Sequence, residues 1–69
     1  MGRLTKQARY DLADRRRMTH WAKATDTIRS GYGEITEREW CEREVARNNR
    51  CRCATKVVTR GDEVAVAWV

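Results

Sequence analysis

The six residues Ile35-Thr36-Glu37-Arg38-Glu39-Trp40 constrain the fold more than any other stretch. The Thr36 hydroxyl can cap a helix, and Glu39, three residues on, can reach back to the Thr36 amide. Ile35 precedes the cap and Trp40 occupies the fourth helical position, the two places that form a hydrophobic staple. A helix therefore starts at Glu37 and runs to about residue 48. Its acids (Glu37, Glu39, Glu42) gather at the start and its arginines (Arg43, Arg47, Arg50) at the end, as the helix dipole favours. Trp40, Cys41 and Val45, with Asn48, recur at helical steps as its inward face. Asn48-Asn49 marks its exit.

The stretches on either side read differently. Leu4, Ala8 and Leu12 fall at four-residue steps and predict a helix over 4–17, with Arg15-Arg16-Arg17 loading its last turn. Residues 19–30 either continue that helix as one bent rod over 4–30 or restart a second one. Trp21, Ala24 or Thr25, and Ile28 would form its apolar face. Ser30-Gly31-Tyr32-Gly33 supplies two glycines suited to ending it.

Residues 51–69 are rich in Val and Thr and alternate. They predict a β-hairpin that turns at Arg60-Gly61-Asp62-Glu63. A two-residue Gly61-Asp62 loop sets Arg60 against Glu63, Val58 against Ala65 and Val57 against Val66. Cys51, Cys53, Val57, Val64, Val66 and Trp68 then share the core face, and Arg52, Ala54, Lys56, Val58, Ala65, Ala67 and Val69 share the other. The second face is too apolar along Val58, Ala65 and Val69 for solvent, and a lone hairpin is marginal in water. Dimerisation through the hairpin is the expectation, with Val58, Ala65 and Val69 at the interface and the C-terminal strand's edge open. The predicted fold class is thus α+β, with two or three N-terminal helices followed by a C-terminal two-stranded hairpin.

Size and charge narrow the function. The chain has 69 residues, 41% hydrophobic and 36% charged, with no Phe and no Pro, so a single domain must fold on a thin apolar supply. Its formal charge of +5 is unevenly placed. Residues 1–33 carry eight bases against three acids, and residues 34–69 carry seven of each. A basic first half attracts acidic protein, nucleic acid or an anionic membrane. No apolar run suggests a signal peptide or a membrane span. Three cysteines without an export signal point to free thiols in the cytoplasm.

No reaction is spelled out. Cys41, Cys51, Cys53 and His20 lack the two-to-four-residue ligand gap of a structural zinc site. A Cys–His nucleophile needs a third, orienting group that the spacing does not supply. There is no glycine-rich phosphate loop, and Arg60-Gly61-Asp62 is turn chemistry. No enzyme, metal or cofactor is expected.

Binding is the remaining class. Tyr10, Arg15, Arg16, Arg17, Tyr32, Arg47, Arg50 and Arg52 are of the residue types that anchor protein interfaces. A winged helix-turn-helix DNA binder is the alternative, with 37–48 as recognition helix. Three carboxylates at the start of that helix oppose it.

The whole chain resembles the quorum-sensing anti-activator proteins of Mu-like phages of pseudomonads. The likeness lies in its 69 residues, basic helical start, Ile35–Trp40 helix start and Trp68-Val69 hairpin end. Phage anti-CRISPR proteins have a similar look. The resemblance implies a small dimeric inhibitor that holds a host LuxR-type transcription activator off DNA. It also implies a second host target, the type IV pilus assembly ATPase. No residue role is carried over from it.

Overall fold

The computed structural model describes residues 6–16, 19–51 and 54–69. Helix α1 spans Lys6–Arg15 and is followed by three short strands, β1 (Ala22–Lys23), β2 (Thr27–Ser30) and β3 (Gly33–Thr36). Helix α2 (Glu37–Arg50) and strands β4 (Thr55–Arg60) and β5 (Glu63–Trp68) complete the order. Strands β1, β5 and β4 form one antiparallel sheet in that order, and β2 and β3 form a separate hairpin.

This layout corrects the expected fold class. Two helices are separated by strands, and five strands make two sheets; a run of helices does not precede a single hairpin. The error lies at residues 19–30, which are extended and not helical. Thr25, Thr27 and Ile28 are β-branched and lose side-chain freedom in a helix. The glycines taken as a helix stop make a hairpin turn instead. Ser30 Oγ accepts the Tyr32 amide at 3.1 Å and donates to the Gly33 carbonyl at 3.0 Å. Gly33 takes φ +97°, a backbone region that L side chains rarely enter. The hairpin then sets Ile28 opposite Ile35, and both pack on the core.

Helix α2 starts where the cap places it. Thr36 is extended (φ −76°, ψ 159°) and its hydroxyl accepts the Glu39 amide at 3.2 Å. The first two helical amides also find partners. Glu37 N–H donates to the Asp26 carbonyl at 2.8 Å, and Arg38 N–H to the Ala24 carbonyl at 3.2 Å. The bend between β1 and β2 thus closes the helix N-terminus. Glu39 does not complete the capping box in this arrangement; it faces Arg43 at 3.7 Å. At the far end Asn49 Oδ1 accepts the Thr55 amide, and Asn48 Nδ2 donates to Thr55 Oγ1. These bonds hand the chain from α2 to β4.

The β4–β5 hairpin has Arg60 opposite Glu63, Val58 opposite Ala65 and Val57 opposite Val66. Gly61 opens its two-residue turn at φ +60°, as primed hairpin turns require. Val64 and Val66 face α2 and join Trp40 and Cys41 in the core. Tyr10, Ala24, Ile28, Tyr32, Ile35, Val45 and Val57 surround that cluster. Trp68, expected on the core face, is 55% exposed. Cys51 is exposed, and Cys53 lies outside the described residues. The expected open edge of β5 is half closed, since β1 pairs with Glu63 and Val64.

Helix α1 docks through a face other than its apolar stripe. Lys6, Tyr10 and Ala13 turn inward, and Leu12 is exposed. Lys6 Nζ lies 2.6 Å from Glu37 Oε2, with both side chains almost wholly buried. The ammonium also sits 4.8 Å from the Trp40 ring centroid, and Tyr10 meets Trp40 edge-on at 5.4 Å. Among the described residues no helix is long and apolar enough to cross a membrane.

Candidate protein-interaction face

The predicted binding residues do not gather in one place. Arg15 and Arg16 are exposed at the end of α1. Arg17 and Arg52 lie outside the described residues. Tyr32 and Arg47 meet around Glu44 on α2. Tyr32 Oη donates to Glu44 Oε1 at 2.9 Å, Arg47 Nη1 lies 3.6 Å from the same oxygen, and Gln7 Nε2 reaches Glu44 Oε2 at 3.5 Å. Glu44 is buried, so this constellation is a structural tie between α1, α2 and the β2–β3 turn. Burial and the Glu44 bond raise the Tyr32 hydroxyl above its ordinary pKa. Tyr10 is likewise spent on the core. Arg50 is exposed at the end of α2, and no described contact joins it to the α1 arginines.

The expected dimer residues also separate. Ala65 is fully buried within its own chain. Strand β1 runs antiparallel to β5 with Ala22 beside Val64, so Trp21 falls in register beside Ala65. The Arg60 guanidinium stacks 4.3 Å over the Trp21 ring and is held there by Glu63, whose Oε1 accepts Arg60 Nε and Nη2 at 3.2 and 3.0 Å. This Trp21–Arg60–Glu63 arrangement occupies part of the face assigned to a second copy. Val58 is half-buried there, and Val69 is 79% exposed.

An apolar–basic surface lies on α1. Leu12 forms a ridge between two clefts. One, of about 250 Å³, is lined by Arg9, Leu12, Ala13, Arg16 and His20. The other, of about 260 Å³, is lined by Ala8, Asp11, Leu12 and Arg15. Arg9, on α1, and Arg16, directly after its end, both line the first cleft and have no acidic partner among the described residues. Asp11, in the second cleft, accepts Gln7 Nε2 at 3.1 Å. His20 is held below its ordinary pKa, first by burial and then by the charge of Lys6, against an upward pull from Glu37 and with a further small lowering by Arg9.

The sequence reading drew Leu4, Ala8 and Leu12 as one stripe of the helix and did not single out Arg9 or His20. The i, i+7 spacing of Arg9 and Arg16, with Leu12 between them, was the available signal.

The remaining chemistry-bearing groups are quiet. Burial pushes the Cys41 thiol up to about 11, so it stays protonated and is a poor nucleophile at neutral pH. Among the described residues no three His, Cys, Asp or Glu side chains converge in a metal-holding arrangement. No protein-family model, curated protein or solved structure matches the chain.

Proposed function

We propose that this chain is a small, non-catalytic binding protein that docks the Leu12 face of α1 on an acidic surface of a partner protein and blocks it stoichiometrically. The observation that carries the reading is Leu12, an exposed leucine flanked by Arg9, Arg15 and Arg16. A phosphate backbone has no use for a leucine at the centre of a cationic face. A protein surface with acidic residues around an apolar one does, because desolvated apolar anchors and arginines supply most interface energy. The phage anti-activator resemblance fits this class and supplies two first targets, a LuxR-type activator and a type IV pilus assembly ATPase. A second copy of the chain is the proposed cover for Val58 and Val69 on the outer sheet face, and a monomeric mass in sedimentation at micromolar concentration would remove that part.

The test is capture by the tagged full chain from nuclease-treated lysate, followed by titration of the purified target. Leu12→Asp should weaken binding by about tenfold or more with an unchanged thermal midpoint. Capture that needs intact nucleic acid, or that ignores Leu12→Asp, overturns the reading.

One observation favours DNA instead. The strand order β1-β5-β4, with a hairpin directly after α2, is the arrangement of a winged-helix domain in which the β2–β3 hairpin stands where a helix would be. The local chemistry opposes it. The α2 N-terminus is closed by the Ala24 and Asp26 carbonyls. Its exposed arginines Arg38 and Arg43 face Glu42 and Glu39, and Arg60 at the wing is tied to Glu63 and Trp21.

A further inference from the structure

We infer that the cleft between Arg9, Arg16 and His20 is a carboxylate site, which seats one acidic side chain of the partner with its aliphatic stem against Leu12 and Ala13. The inference rests on the proposed protein-binding reading and names what that partner presents. Three features of the cleft support it. Arg9 on α1 and Arg16, the residue directly after it, line the same cleft. A guanidinium fork matches a carboxylate's two oxygens. Leu12 and Ala13 also line the cleft, and apolar side chains suit the methylenes of a Glu or Asp.

Among the described residues the surrounding charges leave the position open to an incoming anion. The nearest acid of α2, Glu37, is taken by Lys6 at 2.6 Å. Asp11 lies in the other cleft with Arg15. Lys6, Arg9 and Arg16 outnumber Glu37 around His20. The His20 imidazole can donate an N–H to a carboxylate oxygen, and a bound carboxylate in turn favours the imidazolium.

His20 is the only histidine, so its ring proton reports on the cleft without assignment. The experiment titrates the full chain with glutarate at constant ionic strength and follows the His20 C2 proton by NMR, with inorganic phosphate as the comparison probe. Glutarate should give a saturable shift and move the His20 titration midpoint to higher pH. Arg9→Gln and Arg16→Gln should each weaken glutarate about fivefold or more, and Arg50→Gln should leave it unchanged. The inference is overturned if no saturable shift occurs, if both cleft variants bind as the parent does, or if phosphate binds as tightly as glutarate, which would point to a phosphodiester. Partner capture separates this inference from the broader reading. If Leu12→Asp abolishes capture while Arg9→Gln and Arg16→Gln do not, the protein-binding reading stands and the carboxylate site falls. If glutarate binds as expected but Leu12→Asp leaves capture intact, the cleft is an anion site and the protein-binding reading falls.

Discussion

At the scale of single residues, the buried ion pair Lys6–Glu37 decides how α1 is held. Two charges are removed from water, and their attraction at 2.6 Å, with the Trp40 ring beside the ammonium, offsets that cost only while both are present. Lys6→Met leaves Glu37 buried and unpaired, a loss of about 3–5 kcal/mol. A chain of this size holds roughly 3–10 kcal/mol in all, so the single variant should be largely unfolded at 37 °C by circular dichroism. The double variant Lys6→Met/Glu37→Leu should recover most of the loss, because a packed apolar pair replaces an ion pair at little net cost. A single variant as stable as the parent would show that the pair is not formed. Titration gives a second expectation. The folded pKa of His20 lies below its unfolded value of 6.5, so the unfolded chain takes up the proton first and stability falls as pH drops below 6.5. Cys41 works in the opposite direction. Its folded pKa of about 11 lies above the unfolded 9.0, so stability falls as pH rises from 9 to 11. His20→Gln should flatten the acid limb of the thermal midpoint, and Cys41→Val the alkaline limb, each judged against the parent at the same pH. None of these buried charges could be read from hydropathy, which assigns every Lys and Glu to the surface; the Lys6–Tyr10–Ala13 face shows the consequence.

At the scale of elements, legibility followed how local the determining physics is. The start of α2 was readable because its cap and staple lie within six residues. The β4–β5 register was readable because a two-residue turn and period-two alternation leave few alternatives. Residues 19–30 were not: Ala22 takes its strand partner Val64 from far along the chain, and the β2–β3 hairpin, although it closes on a two-residue turn, was hidden because Ser30-Gly31-Tyr32-Gly33 serves equally well as a helix stop. Trp21, Ala24 and Ile28 suit a helix face and a pair of short strands almost equally, and tertiary pairing settled the matter. The candidate site failed for a related reason, since the turn of α1 about its axis is set by Glu37 and Trp40 on another element. The two hairpin turns give a clean contrast. Gly61 has φ +60° with nothing within 4 Å of an added Cβ, so Gly61→Ala carries backbone strain alone, about 1–2 kcal/mol. Gly31 has ordinary φ and equally open space, so Gly31→Ala should be neutral or stabilising by about 0.4–1 kcal/mol. Equal losses in denaturant midpoint for the two variants would show that the Gly61 turn is not the primed type.

At the scale of the whole molecule, the basic half and the neutral half do different work. Residues 34–69 pair their charges internally, through Arg38–Glu42, Glu39–Arg43, Glu44–Arg47 and Arg60–Glu63, and supply most of the core. In the first half no ion pair joins Arg9, Arg15 or Arg16 to an acid among the described residues, and the excess of bases there acts as a steering field. Steering governs how fast a complex forms more than how long it lasts. For a protein partner, raising salt from 50 to 500 mM should therefore slow association by about tenfold or more while dissociation changes little. The double reversal Arg15→Glu/Arg16→Glu should reproduce the slow association at low salt, and Leu12→Asp should instead speed dissociation. A nucleic-acid partner behaves differently, because each neutralised phosphate releases a counterion and the equilibrium affinity itself falls steeply with salt. Surface-immobilised kinetics at several salt concentrations distinguish the two. A salt effect confined to association supports an acidic protein surface at the Leu12 face; a steep logarithmic loss of affinity that disappears on charge reversal, with Leu12→Asp inert, assigns the basic half to a phosphate backbone.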